Sequence, residues 1–170
     1  MSHSIAIKEQ FRHAMREVAS SVAVITTGTG PLRTGFTATS LCSLSLEPPR
    51  LTITINRSSS SYGILRESGV FAVNLLGPHH IATAQNFAGQ NGRKGLERYE
   101  GARWTTLQSG AAILSDAAVA IDCRVEELIE RHSHGIVIGE VLAVSEPLSG
   151  GSLLYWQGKY DPVGTFPAFA

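Results

Sequence analysis

The chain has 170 residues, of which 43% are hydrophobic and 16% charged, and its 14 basic and 14 acidic residues leave no net charge. Such a balance excludes the strongly basic surface of nucleic-acid-binding proteins and gives no attraction to an acidic membrane. The length predicts one domain over residues 1–170, and the low charged fraction predicts that a partner chain covers part of the surface.

Cysteine usage and the first residues of the chain bear on its compartment. Cys42 and Cys123 lie far apart in sequence, so either a disulfide or two free, mostly buried thiols is compatible with them, and free thiols in a reducing cytosol are the preferred interpretation. Lys8, Arg12 and Arg16 stand where a signal peptide needs an apolar core, and no apolar run approaches the ~20 residues that span a bilayer. We therefore expect a soluble, cytoplasmic protein without membrane association.

In chain order, the hydrophobic pattern predicts many strands and few helices. An amphipathic helix is predicted over Ile7–Ser20, and shorter helices over Tyr62–Glu67 and His79–Ala88. Extended segments are predicted at Val22–Thr27, Gly35–Ser40, Leu51–Ile55, Val70–Leu75, Ala117–Glu130, Ile136–Val144 and Leu153–Trp156. About six strands with a few short helices indicate a mainly β (α+β) fold, built as one antiparallel barrel.

Residues 35–56 carry the pattern that is most informative about function. Thr37, Thr39 and Ser40 surround a small Ala38, so this backbone can approach a flat ligand while offering hydroxyl and amide hydrogen bonds. After two prolines, Leu51–Ile55 alternates apolar and threonine side chains. We interpret the two segments as a ligand-cradling hairpin with an anion site at its far end.

That far end, Asn56-Arg57 followed by four serines, has two readings. Serine hydroxyls, free amide groups and a guanidinium can bind phosphate. The same residues can instead form a helix N-cap and a solvated loop.

The histidines are equally ambiguous. His132 and His134 would share a face of an extended chain, which suits turn hydrogen bonds, a cofactor contact, or a metal for which no third ligand is evident. His79 and His80 are expected to point apart and to mark only the start of a helix. Because no nucleophile–base couple can be defended, no catalytic side chain and no metal site are predicted, and the chemistry is expected to belong to an organic cofactor.

Several segments in order resemble the short-chain, flavin-reductase-like split-barrel family, the reductase components of two-component aromatic monooxygenases. They are VAVITT after the first helix, GFTATSLCSLSLEPP, the strand into Asn56-Arg57-Ser58, SGVFAVNLL, AQNFAG, HSHGIVIGEV and LLYWQGKY. The chain differs from relatives at His132-Ser133, where Gly-Asp or Gly-Thr is frequent.

The resemblance implies a homodimer of six-stranded Greek-key split barrels that binds FMN or FAD. NADH, or NADPH, would pass a hydride to the flavin, and the reduced flavin would leave for a separate monooxygenase. By position, Thr37, Ala38, Thr39 and Ser40 would line the isoalloxazine and ribityl chain. The remaining implied contacts are Thr54, Ile55, Asn56, Ser60 and Ser61 for ribityl and phosphate, Asn86 and Phe87 closing the pocket, and His134 and Tyr155 at the nicotinamide.

Two alternatives to a diffusible-flavin reductase are compatible with the same sequence. One is a flavoprotein that retains FMN and acts on its own substrate. The other is a non-catalytic flavin-binding module, which would bind the same ligand without turning over NADH.

Overall fold

The computed structural model describes residues 2–148 and 150–164. Its helices are α1 (Ser2–Arg16), α2 (Tyr62–Ser68) and α3 (Ile81–Phe87), with short 3-10 helices at Gly30–Leu32 and Gly95–Tyr99. Its strands are β1 (Ser20–Ser21), β2 (Ala23–Thr27), β3 (Thr34–Ala38), β4 (Cys42–Leu46), β5 (Pro49–Asn56), β6 (Val70–Leu75), β7 (Trp104–Thr106), β8 (Ala112–Leu114), β9 (Val119–Arg131), β10 (His134–Val144), β11 (Ser152–Trp156) and β12 (Lys159–Val163). Within these residues, none of the helices combines the length and apolar character needed to span a membrane.

The strands form one large antiparallel sheet and two small ones. The large sheet has seven strands in the order β3-β2-β6-β9-β10-β5-β4, and β1-β11-β12 and β7-β8 form the others. The mainly β architecture with few helices is thus confirmed. The six-stranded barrel is not confirmed, because the large sheet has seven strands and its two edges, β3 and β4, do not pair with each other.

Burial differs among the strands of the large sheet: β2 is buried on both faces, whereas β4 at the edge is almost entirely exposed. In β5, Leu51, Ile53 and Ile55 are buried and the threonines between them are half-buried, as the alternation predicts. Strand β6 has the predicted bounds. The longest hairpin, β9–β10, turns at His132, whose φ is 49°, and its register shifts between Ile138 and Gly139.

The predicted hairpin of residues 35–56 is wrong in its pairing. β3 pairs with β2, whereas β5 pairs with β10 and with the unpredicted strand β4, so the hairpin that contains the prolines is β4–β5. β3 and β5 face each other without ladder bonds. A side-chain bridge joins them, because Ser40 Oγ accepts a hydrogen bond from Thr54 N at 3.0 Å and donates one to Thr54 O at 3.3 Å.

Two cores lie on opposite faces of the large sheet. One consists of inward side chains from β2, β3, β5, β6, β9 and β10, with Tyr62 and Leu65 of α2. The other lies under α3 and the β7–β8 hairpin. Buried Asn74 holds that hairpin down: its Oδ1 accepts from Leu114 N at 2.7 Å, and its Nδ2 donates to Val24 O at 3.1 Å. Because the Asn74 side-chain amide both donates and accepts hydrogen bonds, it can fix the position of the hairpin without leaving a buried polar group unpaired.

Helix α1 begins five residues before and ends four residues before the predicted helix Ile7–Ser20, and it has an exposed apolar stripe. Ile7, Phe11 and Met15, with Val18 just after the helix, are 57%, 65%, 50% and 49% exposed.

Both cysteines are free thiols, in agreement with the preferred interpretation of the sequence, but Cys42 is exposed whereas two buried thiols were expected. Burial raises the pKa of the Cys123 thiol to about 12.

Candidate functional site

The gap between β3 and β5 forms a cleft of about 370 Å³. One wall comes from the end of β3 and the residues after it, and the opposite wall from the end of β5. Nine of the thirteen predicted site residues line it: Thr37, Ala38, Thr39, Ser40, Thr54, Ile55, Asn56, Phe87 and His134. The sequence pattern of small and hydroxyl residues therefore does converge on one surface, although the strands that carry it are not paired.

The walls offer mostly neutral hydrogen-bonding groups. Thr37 is held by α3, since its Oγ1 donates to Ala84 O at 2.6 Å. Asn56 caps the turn after β5, where its Oδ1 accepts from both the amide and the hydroxyl of Ser58. Hydroxyls fixed in this way are pre-oriented for a polar, flat ligand.

Arg98, which the sequence interpretation passed over, supplies a cation to the cleft. The residue is buried, and its Nη1 donates to Gly35 O and, at 3.4 Å, to Ser61 Oγ, while Nε donates to Arg93 O at 3.2 Å. Desolvation lowers the pKa of its guanidinium. Among residues 2–148 and 150–164, no carboxylate pairs with Arg98, and its Nη2 donates no hydrogen bond. A buried cation without a counter-ion on a cleft wall is a strong indication of an anionic ligand.

An aromatic cluster fixes the 3-10 turn that carries Arg98. The adjacent Tyr99 donates its hydroxyl to Thr34 O at 2.6 Å, and its ring centroid lies 5.0 Å from Phe87 and 4.9 Å from Trp104. Burial raises the pKa of the Tyr99 hydroxyl. Only tertiary contacts place this turn against Gly35. The sequence signal for this turn is an arginine followed by an aromatic residue, Arg98-Tyr99, just after a segment with three glycines at residues 89–95.

The serine run divides between the surface and the interior. Ser59 lines the cleft, whereas Ser60 is exposed outside it. Ser61 is fully buried, donates to Gly35 O at 3.0 Å and lies 3.1 Å from Thr34 Oγ1. Of these three serines, Ser59 alone lines the cleft with Arg98, while Ser61 contacts Arg98 from the interior.

The other predicted contacts lie at the margins. His134 is exposed at the start of β10, and its Nδ1 lies 2.9 Å from Ser133 Oγ. Asn86 is buried behind the cleft, donating towards Glu100 O and accepting from Asn91. Tyr155 lines two adjoining cavities, of which one shares Thr39 and Ser40 with the cleft and the other shares Thr37 and Thr39.

His79 and His80 do not point apart, contrary to expectation. Their ring centroids are 3.9 Å apart, and each Nε2 lies 3.3 Å from a carboxylate oxygen of Asp116. Burial and neighbouring His79 lower the pKa of His80. Its Nδ1 accepts from Gly77 N at 3.0 Å, so the neutral ring carries its proton on Nε2 and offers no lone pair there to a metal. Asp116 thus lies close to both rings, away from the cleft, although the buried Nε2 of His80 makes no well-formed hydrogen bond among the described residues.

The cleft fits a flavin nucleotide by the chemistry of its donors. Hydroxyls and backbone amides suit an isoalloxazine and ribityl chain, and one cation suits a phosphate. Within the described part of the chain, the groups that line the cleft are suited to binding and orienting such a ligand.

The model of the flavin reductase like domain matches residues 15–164 of this chain. The chain belongs to that family. It is 36% identical over 157 residues to "FMN reductase (NADH) RutF 2" of Rhizobium rhizogenes strain K84, covering 92% of this chain and 89% of the relative. It is 41% identical over 150 residues to the protein of that name from Methylorubrum extorquens strain PA1, covering 88% and 86%.

Among solved structures, this flavin reductase domain is similar to a nitrilotriacetate monooxygenase component B homologue from Mycobacterium thermoresistibile. The TM-score is 0.83 at 26% identity, and the match covers 93% of this chain and 87% of the other.

Proposed function

We propose that this protein is an NADH-dependent reductase of free FMN, acting as a single domain, and that the β3–β5 cleft is its flavin site. Buried, unpaired Arg98 on the wall of a hydroxyl-lined cleft carries the proposal, because this combination suits a phosphorylated flavin. Relatives at 36% and 41% identity carry the name FMN reductase (NADH). FMN is therefore preferred over FAD, and NADH over NADPH.

We assign roles from the positions of the side chains. Thr37, Ala38, Thr39 and Ser40 line the ring system and ribityl chain, opposite Thr54, Ile55 and Asn56. Arg98 and Ser59 hold the phosphate, and this replaces the assignment to Ser60 and Ser61. His134 and Tyr155 stay assigned to the nicotinamide nucleotide, at the open margin, and Phe87 with Asn86 behind it closes the far side.

The protein's part in the reaction is to orient two ligands and to exclude water. A hydride passes from NADH to the flavin with one proton from solvent, giving NAD⁺ and reduced flavin. Stacked rings need no side-chain acid or base for this step. The walls bind mainly through neutral groups and one cation, which suits release of the product to a separate monooxygenase. The name of the Mycobacterium thermoresistibile neighbour, a monooxygenase component, supports such a partner.

Steady-state kinetics test the proposal. With catalytic protein and excess FMN, NADH absorbance should fall through many turnovers, at a rate that saturates with free FMN. A retained-flavin enzyme would turn over independently of added FMN, and a binding module would oxidise no NADH. Either result would contradict a diffusible-flavin reductase. Riboflavin is the matched ligand control, because it offers the same ring without phosphate.

We also propose a homodimer of curled, Greek-key split barrels in the cytoplasm. Inward side chains of six strands share one core, which supports a barrel-like curvature of the seven-stranded sheet. Two free cysteines are compatible with a reducing compartment. The exposed stripe of Ile7, Phe11, Met15 and Val18 supports association of two copies, because contiguous apolar side chains on a surface mark interaction sites.

A charge placed in the stripe should dissociate the dimer. The wild-type protein should sediment at twice its 18.2 kDa chain mass. Phe11→Glu should move the population towards the chain mass, since it buries a carboxylate in an apolar contact. Gln10→Glu adds the same charge beside it on a different face of α1 and should leave the dimer intact. A wild-type protein that sediments as one chain at micromolar concentration would refute the dimer.

A further inference from the structure

Ser61 lies directly behind the proposed phosphate end of the cleft. It is fully buried and does not line the cleft itself. Ser61 is also the N-cap residue of α2, yet its hydroxyl makes no capping hydrogen bond to that helix. A serine at an N-cap ordinarily uses its hydroxyl for this purpose. The side chain of Ser61 is therefore committed to other contacts.

The hydroxyl of Ser61 has its full hydrogen-bonding capacity in use. Its single proton goes to Gly35 O at 3.0 Å, so the Thr34 hydroxyl, 3.1 Å away, is the donor in their mutual contact. The other lone pair of Ser61 Oγ accepts from Arg98 Nη1 at 3.4 Å. The same arginine nitrogen also donates to Gly35 O. Two neutral oxygens thus fix one end of the guanidinium, and a hydrogen bond joins those two oxygens to each other.

Neutral acceptors at this position leave the charge of Arg98 available to a ligand. A carboxylate at the position of Ser61 would pair with the guanidinium, and a ligand phosphate would then have to displace it. Because Nη1 bonds to Gly35 and Ser61 and Nε bonds to Arg93, the remaining nitrogen, Nη2, is the one that donates to none of the described residues. Ser61 also supports the second proposed phosphate contact, since its backbone amide donates to Ser59 Oγ at 3.3 Å.

We propose that Ser61 is a positioning residue for phosphate recognition. It holds the Arg98 guanidinium without neutralising it, and in this way it sets the preference for a phosphorylated flavin over an unphosphorylated one. Ser61 acts through Arg98 and does not touch the ligand. This inference rests on the proposed function, in which Arg98 and Ser59 hold the FMN phosphate.

A double-mutant cycle tests the assignment, with the dissociation constants of FMN and riboflavin measured on the full chain. Ser61→Ala should weaken FMN by about 3- to 10-fold and leave riboflavin unchanged, because only the phosphate contact depends on the orientation of Arg98. Ser61→Cys keeps a side chain of similar shape but offers only a weak acceptor, so it should give the same selective loss. In an Arg98→Met background, Ser61→Ala should weaken FMN no further, since no guanidinium is left to position.

Thr34→Val is the matched control. It removes a buried hydroxyl that bonds to Ser61, whereas the contacts of Ser61 with Gly35 and Arg98 remain. Thermal melting should show a loss of stability similar to that of Ser61→Ala. The ratio of FMN to riboflavin affinity should nevertheless stay at the wild-type value.

The cycle also separates a failure of this inference from a failure of the proposed phosphate site. If Ser61→Ala leaves FMN affinity unchanged, or weakens FMN and riboflavin equally, Ser61 has no part in phosphate recognition. Equal losses of FMN affinity with and without the arginine would show that Ser61 does not act through Arg98. An unchanged ratio of FMN to riboflavin affinity in Arg98→Met alone would overturn the phosphate site itself, and the role of Ser61 with it.

Discussion

Arg98→Met should weaken FMN binding by about 10- to 150-fold, because a charge-assisted hydrogen bond to phosphate is worth ~1.5–3 kcal/mol. Methionine keeps most of the aliphatic length of the side chain while removing the charge. Riboflavin, which lacks the phosphate, should lose little affinity. Flavin fluorescence quenching measures both dissociation constants. If the proposal is correct, the ratio of FMN to riboflavin affinity falls in the variant.

Arg93→Met is the matched control. The Arg93 side chain lies five residues before Arg98 and contacts Glu97 O and Glu100, but it does not line the cleft. It should leave both affinities unchanged. Equal weakening of FMN and riboflavin by Arg98→Met would show instead that Arg98 only shapes the cleft through Gly35. Thermal melting of both variants separates that structural effect from loss of the phosphate contact.

Gly35→Ala should destabilise the protein by ~3 kcal/mol, or by about 6–12 °C in Tm for a chain of this size. A Cβ at Gly35 would lie 2.4 Å from Ile25 O and 2.8 Å from the Phe87 ring. Neither neighbour can retreat easily, because one is strand backbone and the other is a fully buried ring. Calorimetric melting measures the effect.

Gly63→Ala offers the same substitution without the clash. Gly63 lies in α2, and a Cβ there would meet nothing within 4 Å. Because alanine is the better helix former by ~0.5–1 kcal/mol, this variant should melt at a slightly higher temperature. A Gly35→Ala protein as stable as Gly63→Ala would show that β3 is not held where the structure places it.

The local pattern of apolar and polar residues was sufficient to predict strands whose side chains alternate or are mostly apolar. Examples are Leu51–Ile55, within β5, and Val70–Leu75, which is β6. Strand β4 was missed because its apolar residues face outward, with Leu44 and Leu46 exposed, and two prolines follow them. Strand β12 contains Pro162, which argues against a strand on sequence alone.

The same limit applies to the cleft. Its hydroxyl wall lies within one short segment, so composition alone indicated a ligand there. Arg98 is 63 positions from Gly35, and its burial exists only after the aromatic cluster has formed. The periodicity of the sequence does not reveal a contact between residues so far apart. An arginine near a polar loop is expected to be exposed, so Arg98 is recognised as a candidate ligand-binding residue only when the fold is known.

The absence of ladder bonds between β3 and β5 has a kinetic consequence. Ser40 and Thr54 bridge the gap with two side-chain hydrogen bonds, so widening it leaves the pairing of β3 with β2 and of β5 with β10 intact. Losing two such bonds costs about 1–3 kcal/mol, to which any opening of the core shared by β3 and β5 adds. We therefore expect the two walls of the cleft to separate more readily than any pair of hydrogen-bonded strands, so that a ligand can exchange without unfolding a strand.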